Sequence, residues 1–204
     1  MSNKPLVSCI VPTYNNIEFL FEALDSIFIQ TYNNIELIVS DDSSKVFDKD
    51  LVRDYIEKNS KDNLASYLLN QNEVNLGTTK HFNKIIAKSS GKYILFLSCD
   101  DLFFDSLVIE KIVDFFEKNN CLIATAFRDV YTQDLKTFLE KLPNKKDLSY
   151  FKKKPLALYN RLCFGNFISG ACTYYTREII EKYHLFDENY FLLEDYPSYL
   201  KLSR

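Results

Sequence analysis

Apolar positions along this chain fall into two textures. The first is short, largely apolar runs: Val7 to Val11, Ile35 to Val39 and the unbroken Tyr93 to Leu97. Each is too short for a helix and rich in β-branched or aromatic residues, so each predicts a strand buried on both faces. The second is recurrence every three or four residues. Ile17, Leu20, Phe21, Leu24, Ile27 and Phe28 keep a helical period, with Asn15 or Asn16 as the expected cap. Leu51, Val52, Tyr55 and Ile56 mark the face of a second helix, and a strand is expected from Ser66 to Leu69. A third helix opens at Asn75-Leu76-Gly77 and ends near Ser89-Ser90-Gly91, where Gly91 suits a left-handed C-terminal position. Leu107, Val108, Ile112, Val113, Phe115 and Phe116 define a fourth, beginning near Asp105. Strands alternating with helices imply an α/β fold with a mostly parallel central sheet and right-handed crossovers.

Beyond a strand expected at Cys121 to Phe127 the pattern changes. Residues 130–162 read as helical and basic, Phe164 to Gly170 as a loop, and Ala171 to Tyr175 as a strand. Leu185 to Pro197 then introduces a helix that continues to Arg204. No internal repeat or low-complexity tract interrupts the chain, and 204 residues suffice for one domain spanning 1–204.

Composition narrows the chemistry. Only four glycines are present, and neither GxGxxG nor the Walker A pattern occurs, so a bound diphosphate would need a metal and side chains in place of a glycine-rich cradle. Cys9, Cys99, Cys121, Cys163 and Cys172 are odd in number, widely spaced and without a CxxC pair, as expected of small apolar residues in a reducing compartment. The N-terminus lacks the pattern of a secretory leader, and no apolar run approaches the roughly 18 residues of a spanning helix. A cytoplasmic location is therefore expected. Charge is segregated: residues 136–161 carry eight Lys or Arg against Glu140 and Asp147, so this segment is +6 within a chain of net charge -3.

Two of the buried runs stop at acid. Tyr93 to Leu97 leads through Ser98-Cys99 to Asp100-Asp101, and Ile35 to Val39 leads through Ser40 to Asp41-Asp42. In open α/β sheets ligands collect beyond the carboxyl ends of the strands, and adjacent carboxylates tolerate each other best with a cation between them. Oxygen ligands favour Mg2+ or Mn2+. The plainer alternative makes Asp101 a helix cap and Asp100 a turn residue. Similarly, Asp195 can be a base or an N-cap ahead of Pro197. Tyr14 can be a rim aromatic, Asn75 and Gly77 a turn and helix start, and His81 and His184 surface residues.

Five stretches taken together resemble the successive motifs of family 2 glycosyltransferases with the GT-A fold. They are Val7-Ser8-Cys9-Ile10-Val11-Pro12-Thr13-Tyr14-Asn15; Ile38-Val39-Ser40-Asp41-Asp42-Ser43-Ser44; Asn75-Leu76-Gly77 with Asn83; Gly91 through Asp101; and Phe186-Asp187-Glu188 with Glu194-Asp195. The resemblance covers essentially the whole chain in order. It implies a single GT-A domain, with 1–101 as the nucleotide-sugar half and 102–204 as the acceptor half, shortened at its C-terminus. It also implies an inverting, metal-dependent transfer of a sugar from a nucleotide donor, UDP by default, to a saccharide or lipid-linked acceptor in cell-surface polysaccharide assembly. Pro12, Tyr14 and Asp41 would hold the nucleoside, with Asp41 against the base and Asp42 capping the following turn. Asp100 would bind the metal that bridges the diphosphate, with Asp101 beside it. Glu194 would contact substrate and Asp195 would be the general base.

Two positions depart from the family pattern. Ser98 stands where a carboxylate is usual, and His184 where many relatives carry glycine. Ser98 keeps open a catalytically silent sugar-nucleotide binder. A receiver-type phosphoacceptor module, with Asp100 as acceptor, also fits an acidic pair in a βα repeat but leaves Glu194-Asp195 unexplained. Nothing calls for nucleic acid. The basic, aromatic-interleaved segment 141–161 admits a solvated helix face or peripheral contact with the inner face of the plasma membrane.

Overall fold

The computed structural model describes residues 4–204; the first three residues of the expected 1–204 domain lie outside it. Four strands, β1 (Val7–Thr13), β2 (Ile35–Asp41), β3 (Leu64–Gln71) and β4 (Tyr93–Phe96), alternate with α1 (Leu20–Phe28), α2 (Lys49–Asn59) and α3 (Thr78–Ile86). After β4 come α4 (Val108–Asn119), β5 (Ile123–Thr125), β6 (Arg128–Tyr131) and β7 (Phe138–Leu142). The chain closes with α5 (Lys145–Phe151), α6 (Pro155–Leu162), β8 (Thr173–Thr176), α7 (Arg177–Tyr183) and α8 (Tyr196–Ser203).

The main sheet has the order β3-β2-β1-β4-β8-β5. β1 is parallel to β2 and β4, and β2 is parallel to β3. β8 then enters antiparallel to both β4 and β5, which leaves β5 parallel to β4. Helices cover both faces, because successive strand residues point to opposite sides. Cys9, Val11, Leu37, Val39 and Leu95 join α1, α2 and α4 in one core layer. Ile10, Ile38, Ile94 and Phe96 join Phe82 and Ile85 of α3 and Ile179 and Ile180 of α7 in the other. The expected α/β fold with a mostly parallel sheet flanked by helices is the one observed.

Several local expectations are corrected. Residues 130–162 are not helical throughout, since β6 and β7 form an antiparallel hairpin before α5 and α6. Its turn lacks a glycine; Asp134 organises it by accepting from the Thr132 hydroxyl and the Lys136 N–H, with Leu135 at φ +56°. The exposed run Phe138-Leu139-Glu140-Lys141 carries residues as common in helices as in edge strands, so its pattern does not discriminate. Neither Asn15 nor Asn16 caps α1 through its side chain; a short 3-10 turn at Ile17–Phe19 leads in, and the Asn15 side chain instead accepts from Lys45 N–H. Leu51 and Phe115, placed on buried faces by period, are half exposed.

Gly91 is not the left-handed end of α3, which stops at Ile86. Its glycine is needed for close approach: a Cβ there would lie 2.4 Å from the Ser8 backbone N. Left-handed positions at helix ends are instead Asn120 after α4, at φ +47°, and His184 after α7, at φ +45°, where a glycine would fit with less strain.

Candidate active site

The parallel strands deliver their carboxyl ends to one edge, and the sequence supplies polar residues there. β1 ends at Thr13, opposite Asp41 of β2, and the ladder continues as Asp42 N–H donates to the Thr13 carbonyl. Asn15 N–H donates to Ser44 Oγ at 2.7 Å, while Asp41 accepts from Ser44 N at 2.9 Å and from the Ser44 hydroxyl. Asn15 and Ser44 thus lace the Pro12–Tyr14 turn to the β2 end. Pro12 is half-buried and Tyr14 is exposed. Asp41 is fully buried in this loop.

The turn-capping role expected of Asp42 falls to its neighbour. Asp41, not Asp42, holds the following turn. Asp42 reaches across to the entry of α3 and accepts from Leu76 N–H, Gly77 N–H and Asn72 Nδ2 at 2.8–3.1 Å. The reason is tertiary: β3 lies beside β2, so the chain entering α3 passes the Asp42 carboxylate and offers it two backbone donors. Gly77 at φ +75° makes that entry possible.

His81 is a second correction. It is buried, with Nε2 2.7 Å from Ser40 Oγ, and Asn70 Nδ2 donates to the same hydroxyl at 2.9 Å. Burial holds the His81 pKa below its ordinary value against the pull of Asp42 and Asp41. The side chain bolts α3 to the end of β2 from beneath the loop.

Asp100 and Asp101 follow β4. Asp101 N–H donates to the Ser98 carbonyl, so the pair sits in a tight turn. Neither acid caps α4: its N-cap, Leu107, makes no side-chain cap bond, and it is Asp105 that accepts from Leu107 N–H. Asp100 is exposed and Asp101 half-buried. Burial, and then the neighbouring Asp100, push the Asp101 carboxyl up, with Arg128 pulling the other way.

Glu194 and Asp195 come from the far end of the chain yet share a cleft with Ser98 and Gly170, floored by Phe82, Phe96 and Phe186. Asp195 does cap α8, accepting from Tyr196 N–H through Oδ1; its Oδ2 accepts from Asn166 Nδ2 at 3.2 Å. A Cβ at residue 170 would stand 2.8 Å from Asp195 Oδ2, so a larger residue there would displace that carboxylate. Burial pushes both carboxyls up; hydrogen bonds from Tyr196 N–H and Asn166 partly offset this for Asp195. A carboxylate in place of Ser98 would add a third negative charge to this half-buried cleft.

The approach to Glu194 is held by α3. Asn83 Nδ2 donates to the Phe186 carbonyl and to Glu188, and the Thr79 hydroxyl donates to the Tyr190 carbonyl. Two motifs more than a hundred residues apart, Asn75-Leu76-Gly77 with Asn83 and Phe186-Asp187-Glu188, therefore touch. Asn166, Gly170, Arg128 and His81 were not singled out as site residues from sequence. Only Asn166 and Gly170 carried any signal, as members of a predicted loop.

A divalent cation can be tested against this arrangement. Among the described residues no group of three or more His, Cys, Asp or Glu side chains could hold one by itself. Asp100, however, makes no side-chain hydrogen bond or ion pair with any described residue and stands exposed beside Asp101. One or two carboxylates completed by substrate phosphates and water is the ordinary Mg2+ arrangement, so the residues present fit a metal that arrives with a diphosphate.

The comparisons with known proteins agree with this geometry. The model of glycosyl transferase family 2 matches residues 8–185. A glycosyltransferase of Haemophilus influenzae, itself uncharacterized, is 32% identical over all of this chain and 62% of its own length. The structure of S. aureus TarS 1-349 in complex with UDP superposes with a TM-score of 0.71 at 21% identity, over 96% of this chain and 54% of that one. The mannosyltransferase PcManGT of Pyrobaculum calidifontis, in complex with GDP-Man and Mn2+, gives 0.60 at 21% identity, over 89% and 47%. This chain thus spans about half to three-fifths of each of these proteins. Its α/β sheet is that of a GT-A domain, and with nearly nine-tenths of its length matched by the family model, the chain belongs to the family 2 glycosyltransferases.

Proposed function

We propose that this domain transfers a sugar, with inversion, from a nucleotide-sugar donor, UDP-linked by default, to a hydroxyl of a saccharide or lipid-linked acceptor in cell-surface polysaccharide assembly. One observation carries the reading: Asp41 and the Asp100-Asp101 pair follow strand ends on one edge of the sheet, and Asp195, from the far end of the chain, shares a cleft with Ser98 just before that pair. Residues 1–101 form the donor half and 102–204 the acceptor half. Pro12, Tyr14 and Asp41 bind the nucleoside, Tyr14 through its exposed ring and Asp41 as part of the loop that shapes the pocket. Asp100 and Asp101 would hold Mn2+ or Mg2+, whose charge offsets that developing on the departing diphosphate.

The remaining chemistry belongs to the chain's own side chains. Asp195 accepts the proton of the acceptor hydroxyl as its oxygen forms a bond to the anomeric carbon. The bond from that carbon to the donor's phosphate oxygen breaks, and its electron pair leaves with the nucleoside diphosphate. Attack and departure on opposite faces give inversion in one step. Burial of Asp195 favours this role by making its carboxylate a stronger base than one in water. Asn166 and the Tyr196 N–H fix its orientation. Glu194 lines the same cleft and contacts the transferred sugar or the acceptor.

Family membership sets aside the receiver-type alternative. Ser98 supports a second reading, a sugar-nucleotide binder without turnover. Titration with nucleoside diphosphates, with and without Mn2+, followed by assay with donor and acceptor, tests both. Metal-enhanced binding with transfer is the expected result. Binding without transfer to any acceptor would favour the silent binder, and no binding at all would end the donor-site reading.

A further inference from the structure

Arg128 opens β6 and follows β5 by two residues. Since β5 is antiparallel to β8 and β8 to β4, the carboxyl ends of β5 and β4 open on the same edge of the sheet. The ladder continues past Thr125, with Ala126 N–H donating to the Cys172 carbonyl at 2.9 Å, so the chain has reached the mouth of the crevice when it arrives at Arg128. Electrostatics put the guanidinium beside the acids there. The guanidinium lies close enough to Asp101 for the two charges to act on each other. It also pulls back the Cys172 thiol, which burial and Asp101 push up to about 11.

The guanidinium nevertheless has no partner. Its Nε–H is buried without a hydrogen-bond acceptor among the described residues, and no ion pair of those residues includes it. The nearby cation is engaged elsewhere: Lys141, on the adjoining strand, bridges to Asp129 and lies over the Phe127 ring at 5.6 Å. A half-buried guanidinium with unspent donors costs stability until an acceptor arrives, and its planar fork matches phosphate oxygens in a way an ammonium does not. An anionic acceptor would also offset the guanidinium's charge, and Asp101 is not within ion-pair distance. A phosphate bound beside Asp101 would give the guanidinium its acceptor.

We propose that Arg128 is a phosphate-binding residue of the donor site, donating to the diphosphate of the nucleotide beside Asp100 and Asp101. This rests on the donor-site reading above. In a site with Ser98 in place of an acid, Arg128 adds positive charge to the leaving group from the protein itself, so part of the diphosphate affinity persists when metal is removed.

The test compares wild type, Arg128→Gln and Arg128→Lys by calorimetric titration in EDTA and again in Mn2+. The probes are nucleoside diphosphates of all five common bases, the parent nucleosides, and a prenyl diphosphate as a stand-in for a lipid-linked acceptor. The expected result is that Arg128→Gln weakens nucleoside diphosphate binding about tenfold or more, with and without metal. Nucleoside binding stays unchanged, and Arg128→Lys recovers part of the loss. Unchanged diphosphate affinity in Arg128→Gln overturns the assignment while leaving the donor site standing. Equal losses for nucleoside and diphosphate make Arg128 a structural residue and also overturn it. A loss confined to the prenyl diphosphate moves Arg128 to the acceptor side and overturns its donor role. Wild type that binds no nucleoside diphosphate overturns the donor-site reading, and this assignment with it.

Discussion

Asp195 has two oxygens with different duties, and the proposed mechanism depends on the difference. Oδ1 is committed to the first turn of α8, whereas Oδ2 faces Asn166 and Gly170 in the cleft. Asp195→Asn should leave donor binding intact and lower transfer by about 10² to 10⁴, the usual worth of a general base. Asp100→Ala should instead abolish the metal-dependent part of donor binding. Calorimetry and turnover on the same two variants separate the roles; equal donor affinity in wild type and Asp100→Ala with Mn2+ present would show that the metal site lies elsewhere. The raised carboxyls at Asp101, Glu194 and Asp195 also predict a stability effect. A raised folded pKa means that ionisation is harder in the folded state than in the unfolded chain. The cost is therefore absent below the unfolded carboxyl pKa, about 4, and grows as pH rises through the folded value. Glu194→Gln and Asp195→Asn should each melt higher than wild type at pH 7, with the gain fading toward pH 4. A lower Tm for both at pH 7 would contradict this sign.

At the scale of elements, α3 is the brace between the two halves of the site. Its N-terminus is held by Asp42, its buried face by the Ser40–His81 contact, and its outer side grips the segment leading to Glu194 through Thr79 and Asn83. Asn70 and Asn72, which meet Ser40 and Asp42, are in turn held by Lys88, just past the end of α3, and by Lys84 of α3. His81 is kept neutral by burial, so protonation opposes folding: its contribution is present above the unfolded histidine pKa, about 6.5, and is lost as pH falls below it. Between pH 7.5 and 5.5, Tm should fall more in wild type than in His81→Asn when each is referred to its own value at pH 7.5. His81→Asn should also be less stable at pH 7.5 by about 1–3 kcal/mol, the cost of leaving buried partners unmet. Thermal melts across that range check both; parallel curves would mean that His81 titrates alike in both states.

The whole molecule is electrically lopsided, and folding keeps it so. Lys145, Lys146, Lys152, Lys153 and Lys154 are all exposed on or next to α5 and α6, whereas Arg161 turns inward to pair with Asp147. Lys153 lies over the Tyr150 ring at 4.1 Å, and Leu156 and Phe164 project from the same region, 64% and 89% exposed. No helix of the described residues is long and apolar enough to cross a membrane. Within the proposed function, this face would hold the domain against an anionic bilayer and bring Asp195 to a lipid-linked acceptor. Each lysine near such a surface contributes about 1 kcal/mol, screened within a Debye length. Binding to anionic but not neutral vesicles, lost with Lys152, Lys153 and Lys154 changed to Glu and weakened by salt, is the expected co-sedimentation result. Wild type that ignores anionic vesicles at low salt would leave the lysines as a solvated face.

What this chain's sequence determines by itself is local in origin. An unbroken apolar run such as Tyr93 to Leu97 can only be stable when covered on both faces, so the layered, mostly parallel sheet follows from its repetition. Acid directly after such runs places Asp41 and Asp100 at the sheet edge without any knowledge of packing. The later motifs were legible as well, since Asn83 and Glu188, named from separate stretches, prove to be in contact. Tertiary structure decided what depends on non-local pairing. β8 has only four residues, and its insertion between β4 and β5, which brings Gly170 to Asp195 and leaves β5 parallel to β4, has no signature in its own composition. That Asp41 holds the turn while Asp42 turns to α3 depends on which backbone donors the neighbouring chain delivers. His81 and Arg128 read as ordinary polar residues because a side chain's burial and its lack of a partner are properties of what surrounds it in space, and those surroundings come from residues tens of positions away.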